Sequence, residues 1–297
     1  MMALLIVALL CPVIVHATTE DQSAKVLLAT AEPRLLSATT GWAGRRDLPV
    51  SIPRNVVPGI HRERAYLWAS FSAGCMIEAY RQSQASWGSS TGHFHFKSDW
   101  TGDGLALSDE TSHLFAAYQL SRIINGGYQW VGLNPDRARR AAFVEAWLLT
   151  FLVEFPIDAY NPGQGLGLSD LMFNTVGSLA AYHHAKPNSR PIWDLKVSVK
   201  RSFFDGQGRV IAYTNRQYDD YVYWLTLRPL RNRHIPILLG AGYSTAHSDS
   251  PGITKELHLG VGLSAEELGA IFGERTARHL RPLNFFFLNW GTKISWR

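Results

Sequence analysis

Three polar pairs, each with a spacing of four residues, interrupt an apolar stretch of the chain. They are Asp109 with His113, Glu154 with Asp158, and Asp170 with Asn174. On a helix, residues four apart project from one face, one above the other. Carboxylates turned into an apolar bundle are costly unless they are paired, protonated or bound to a cation. Three chemistries fit this pattern. As ligands, His113, Asp109, Glu154, Asp158 and Asp170 offer one nitrogen and several oxygens, a set suited to Zn, Mn or Fe. As acid–base machinery, His113 is a general base or nucleophile oriented by Asp109 or Asp170, with Glu154 as a further acid. As structure, Asp109 and Asp170 are helix caps and Asn174 bridges backbone. A separate metal candidate is His93 with His95, whose rings share one face of an extended strand, with Asp99 beyond them. No GxSxG, HExxH, P-loop, dinucleotide glycine fingerprint or CxxC pair is present.

The elements that must position these groups are legible from periodicity. A helical stripe runs from Arg62 to Trp87 through Trp68, Ser72, Cys75 and Met76. The glycine-rich stretch 88–107 reads as a functional loop or a re-entrant segment. Ser108 opens the next helix, with SDET as its cap and a stop near Gly126 and Gly127. Asn134 and Pro135 start a third helix, which Pro156 should kink or end near Phe155. Ser169 caps a fourth helix ending near His183 and His184, which suit the helix dipole. Gly177 falls on the side of Asp170 and Asn174 and permits close helix approach.

Beyond Pro187 the apolar period changes from 3.6 to 2. Strands are expected near 193–199, 221–227, 235–243, 257–263 and 283–296. The glycines in LLGAGYS and HLGVGLS mark bulges or close backbone approach. The fold class is therefore α+β: a bundle of about four helices, then an antiparallel β region. The organisation is a signal peptide at 1–17, an irregular leader at 18–60, a helical domain at 61–186 and the β region at 187–297. About five strands are too few to close a barrel, so a sheet packed on the helices is expected.

Composition bounds the partners. The 297 residues are 46% hydrophobic and only 18% charged, with ten Trp. Aromatic-rich, charge-poor chains suit a bilayer surface, where amphipathic rings settle at the headgroup level. A net charge of +5 suits an anionic partner. The basic residues are scattered, apart from Arg137, Arg139 and Arg140 and from Arg228, Arg231 and Arg233. Neither group resembles a nucleic-acid motif, so no nucleic acid is expected. A mean hydropathy of −0.07 argues against a polytopic helical membrane protein. The apolar run from Ala3 to Val15, followed by Ala17, reads as an export signal.

The run Asp109-x-x-x-His113, then Glu154, then Ser169-Asp170-Leu171-x-x-Asn174-x-x-Gly177 resembles the YfiM-like bacterial family of predicted periplasmic lipoproteins of unknown function. It is more distantly similar to the VanZ-like proteins. The resemblance covers roughly residues 90 to 185. It departs at Glu110, where the family usually has Lys. It departs again at Asp158, which falls four residues after Glu154, across Pro156, where the family's acid falls three after. The resemblance implies an envelope location, in the periplasm or outer membrane of a Gram-negative bacterium, and a helical core. It implies no reaction. Together these readings give a membrane-associated envelope protein with a structural or binding role. The alternative is a metal-assisted or His-based hydrolase of a lipid-linked or cell-wall substrate, carried by His113, Glu154 and Asp170.

Overall fold

A computed structural model of the protein describes residues 59–98, 106–187, 191–200, 218–229, 237–247 and 252–296. The signal segment 1–17, the leader as far as residue 58, and Asp99 with Trp100 lie outside the described residues. Helices come first: α1 (Arg62–Trp87), α2 (Ser108–Val131), α3 (Pro135–Leu152), a π-helical turn (Val153–Asp158) and α4 (Leu168–His184). The strands follow as β1 (Trp193–Val199), β2 (Tyr221–Leu227), β3 (Ile237–His247), β4 (Ile253–Leu263) and β5 (Leu288–Trp296). The fold is α+β, and the change of period at Pro187 marks the change of architecture.

Several elements depart from the sequence reading: β3 runs on to His247 and β4 begins at Ile253, each four residues beyond the expected limit. Two seven-residue helices, α5 (Ala265–Ile271) and α6 (Glu274–Leu280), and a 3-10 turn (Arg281–Phe285) lie between β4 and β5. They are too short to show a helical period, and β5 consequently begins at Leu288 rather than near 283. The helix α2 also runs through Gly126 and Gly127 to Val131. Gly127 serves packing, because a Cβ there would overlap the Trp68 indole of α1. Gly132, at φ 107°, supplies the left-handed stop.

All strands pair with their sequence neighbours, antiparallel, in the order β1-β2-β3-β4-β5. The sheet packs on α2: Phe115 meets Val197, Tyr221 and Tyr223 in one buried cluster. It also rolls up. Phe286 forms a parallel bridge with Val197, and the Phe287 N–H donates to the Val197 carbonyl at 2.9 Å. The lead-in to the last strand thus returns to the first. Side chains fill the small concave interior, where Val222, Trp224, Leu238 and Phe287 cluster. Gly240, Gly242 and Gly262 line that side, and a Cβ at each would overlap the Trp224 or Phe287 ring. These glycines therefore permit the curl as well as the close approach.

The seam between helices and sheet is polar. Gln119 of α2 donates to the Leu195 carbonyl at 2.8 Å. Tyr118 donates to Asp194 Oδ1 at 2.7 Å, and Arg122 donates to the same oxygen at 3.0 Å. His184, at the end of α4, reaches the Tyr118 hydroxyl through Nδ1 at 2.7 Å and packs on Trp193 with ring centroids 3.9 Å apart. Because the Tyr118 proton goes to Asp194, His184 is the donor at Nδ1. Burial pushes the His184 imidazole down to about 4, against the pull of Asp194. A neutral ring does little for the helix dipole, so His184 is a seam residue and not the dipole partner that its position suggests.

This carries a pH dependence with a definite sign. The folded ring titrates near 4 and the unfolded ring near 6.5. Between those values the unfolded chain binds more protons, so the stabilising effect of the seam is complete above 6.5 and is lost as pH falls through 4. Urea unfolding across this range should show the wild type losing stability relative to His184→Gln as pH drops. Parallel curves for the two proteins would contradict the assignment.

Candidate functional site

The site is assembled from four parts of the chain. Asp109 lies in the first turn of α2 and His113 one turn later. Asp170 and Asn174 occupy equivalent places on α4. The two helices approach closely at Gly177, where a Cβ would overlap the Leu114 carbonyl oxygen and meet the Tyr118 backbone nitrogen at 3.1 Å. The π-helical turn after α3 brings in Glu154. Pro156 ends α3 at Leu152, and Phe155 becomes extended at φ −140°, ψ 119°. Glu154 is left 1% exposed, beneath the bundle.

The fourth part is Lys97. Its segment runs beside the loop that follows the π-helical turn. The Gly92 N–H donates to the Tyr160 carbonyl at 2.7 Å, and the His95 N–H to Ala159 at 3.1 Å. Leu166 then donates to His95 at 2.9 Å, and Lys97 to Leu166 at 3.0 Å. The Lys97 ammonium is delivered between two acids, 2.6 Å from Asp109 Oδ2 and 3.3 Å from Asp170 Oδ2. Tyr218, just before β2, donates to Asp109 Oδ1 at 2.6 Å.

His113 sits at the centre. Its Nε2 is 3.5 Å from Asp109 Oδ1 and 3.8 Å from Asp170 Oδ1. Its Nδ1 faces Asn174 Oδ1 at 3.2 Å and Glu154 Oε1 at 3.5 Å. Glu154 Oε1 is an ion-pair neighbour of the ring and yet has no hydrogen-bond partner, because 3.5 Å exceeds hydrogen-bond reach. Asn174 Nδ2 and Asp158 Oδ1 are likewise buried without a partner. Asp109, Glu154, Asp170 and Asn174 therefore converge on His113, and Asp158 is near enough to feel the His113 charge.

Electrostatics divides the group into two sets. Burial penalises the Asp109 carboxylate, yet the His113 hydrogen bond and the His113 and Lys97 charges hold it well below the usual range. Burial also opposes charge on His113, but Asp170, Asp109 and Glu154 outweigh it and raise the imidazole well above its ordinary value. The Lys97 ammonium is raised in the same way, Asp109 and Asp170 overcoming its burial. Glu154 moves in the opposite direction. Burial, with the surrounding acids, pushes it up to about 8 against the pull of His113. Asp158 is pushed up to about 6 by burial, again against His113. Glu154 and Asp158 are thus the groups that exchange protons near neutrality, whereas His113 holds its proton. A general base works best with a pKa near the working pH, which suits the two carboxylates better than the imidazole.

The capping expectations fail at both acidic helix starts. The N-cap of α2 is Leu107, at φ 68°, and that of α4 is Gly167; neither helix has a side-chain cap. Asp109 is drawn off by Lys97 and Tyr218, and Ser169 donates instead to Glu110 Oε1 at 3.3 Å. Asn134 does cap α3, accepting from the Arg137 N–H at 2.8 Å. Among the described residues, Asp109, His113 and Asp170 are the set whose ligand atoms lie within 4.8 Å of one another. Glu154 is on the other side of the ring and is not in that set. His93 and His95 are not in it either: His93 is exposed, and the His95 ring turns to the His93 carbonyl at 3.0 Å. Lys97 and Tyr218 escaped the sequence reading. They lie 12 and 109 residues from Asp109, and no local spacing announces either.

No family model, curated protein or solved structure matches this chain.

Gly177→Ala tests the close helix approach. Alanine is the better helix former by about 1 kcal/mol. Overlap with fixed backbone costs roughly 1–3 kcal/mol and should prevail. Urea unfolding should show a net loss of stability; a stabilised variant would mean that α2 and α4 do not meet at Gly177.

Proposed function

We propose that this chain is a membrane-associated protein of a bacterial cell envelope, in the periplasm or on the outer membrane, and that the outer face of its sheet is the bilayer contact. One observation carries the reading. The register row Leu227–Leu239–Val261–Trp290 crosses four strands on the convex face. Its members are 45%, 44%, 48% and 73% exposed. Leu225, Leu257, Leu259 and Ile294 extend the same face and are also exposed. Apart from Lys255, charge on the described strands is turned the other way. Glu256 accepts from Lys200 at 2.7 Å and Ser244 at 2.8 Å on the concave side, and Lys196 is fully buried. An outward-facing apolar band is the pattern of a sheet in lipid, although here the concave side holds the Trp224–Phe287 cluster as well as charged groups. At 11, 11 and 9 residues, β3, β4 and β5 have the length of membrane strands. Because α2 covers the β1–β2 end of that face, contact along one side fits better than a full span. No described helix is long and apolar enough to cross a membrane. The likeness to the YfiM-like family is in keeping with this location.

A second reading, a metal-assisted or His-based hydrolase of a lipid-linked or cell-wall substrate, is favoured by the convergence of Asp109, Asp170 and Glu154 on His113. In it Glu154 supplies the proton traffic. Glu154→Gln should then lower turnover of such a substrate by about 100-fold or more. Retained turnover in a folded variant removes Glu154 from that role.

Flotation with phospholipid vesicles tests the primary reading. The wild-type protein should rise with vesicles. Leu239→Asp combined with Val261→Asp should stay at the bottom of the gradient with an unchanged circular dichroism spectrum. A wild-type protein that does not float overturns the proposal.

A further inference from the structure

We propose that Asp109, His113 and Asp170 form a binding site for one first-row divalent cation, with Zn2+ the best fit, held between His113 Nε2 and the Oδ1 atoms of the two aspartates. The distances carry it. At 3.5 and 3.8 Å both contacts are longer than an ordinary N–H···O hydrogen bond. Two ligands bound at roughly 2.0–2.1 Å to a tetrahedral zinc stand about 3.4 Å apart. The two nitrogen–oxygen spacings are therefore nearly those that a shared metal imposes, and the ligand atoms of all three residues lie within 4.8 Å of one another.

The second oxygen of each aspartate is engaged, and so is one ligand atom. Lys97 holds Oδ2 of both aspartates, and Tyr218 donates to Asp109 Oδ1 from the side. The other ring nitrogen of His113 faces Asn174 Oδ1 at 3.2 Å, the outer-shell contact that fixes the tautomer and ring plane of a metal-bound histidine.

A second observation is independent of the triad. Glu154, 1% exposed, directs a carboxylate oxygen with no hydrogen-bond partner at that same ring nitrogen, 3.5 Å away. With a metal on Nε2, the imidazole is neutral and its Nδ1–H points at Asn174 and Glu154, a carboxylate–histidine–metal arrangement. One nitrogen and two oxygens suit zinc, manganese or ferrous iron better than soft or purely oxygen-seeking ions. Three protein ligands leave a fourth position for water or substrate, as in catalytic rather than structural zinc sites. The inference does not depend on membrane contact, so either can fail without the other.

The test uses untagged full-length protein, stripped with a chelator and titrated with Zn2+ in a calorimeter. One equivalent should bind. His113→Gln and Asp170→Asn should each weaken binding by more than the 10- to 100-fold that is typical of an outer-shell change, and Asn174→Leu should fall roughly within that span. Cobalt supplies a readout that needs no variant: Co2+ added to the stripped wild type should give the intense visible absorption of a four-coordinate nitrogen–oxygen site. Substoichiometric zinc binding, equal binding by wild type and both ligand variants, or a cobalt spectrum no stronger than that of the hydrated ion would each overturn the site.

Discussion

The Lys97 ammonium between Asp109 and Asp170 is the interaction on which the helical unit depends. The two aspartates come from separate helices, and each is almost wholly buried. Two such carboxylates repel each other and lack solvent to spread the charge, so a bundle that closes over them needs a fixed cation. Lys97 is held there by backbone pairing of its segment with the loop after α3. That pairing explains why the loop and the π-helical turn are ordered parts of the site and not mere connections. The central position of His113 follows from the same constraint. Once the Oδ2 atoms are committed to Lys97, the Oδ1 atoms of both aspartates face the imidazole, that of Asp109 while also accepting from Tyr218.

The sheet obeys a different rule. In the helical unit, polar groups are gathered inside around Lys97 and His113, although Glu154 Oε1, Asp158 Oδ1 and Asn174 Nδ2 lack a hydrogen-bond partner. In the sheet, charged side chains again turn inward, around Glu256, but the outer face is left apolar. Small barrels in water usually carry polar exteriors, and this inversion joins the composition to a membrane reading. The glycines opposite Trp224 and Phe287 make the inversion possible. They let two large rings fill a narrow interior, so that aliphatic residues are not needed there.

Much of this was legible in the sequence. The four-residue spacing placed Asp109 with His113 on one face of a helix and Asp170 with Asn174 on one face of another, because helical geometry dictates it; that the two faces meet is seen only in the structure. The alternating pattern located β1 and β2 to the residue. What failed had physical causes. SDET and the start SDL are composed like caps, but a buried lysine competes better for an aspartate than a backbone N–H does, and Lys97 is not detectable from either helix. Gly126 and Gly127 are composed like a helix stop, but the Trp68 ring needs the space. The curl of the sheet depends on one bridge between Val197 and Phe286, about 90 residues apart, which no local pattern encodes.

A double-mutant cycle on Lys97→Met and Asp170→Asn, read by urea unfolding, tests the central claim most directly. If Lys97 is the fixed cation of this cluster, losing it alone exposes the repulsion of two buried acids, and neutralising Asp170 relieves part of that cost. The double variant should then be more stable than the sum of the single losses predicts, by roughly 1–3 kcal/mol. Losses that add to within about 0.5 kcal/mol would mean that the lysine and the aspartate do not interact, and the account of the site would fail with them.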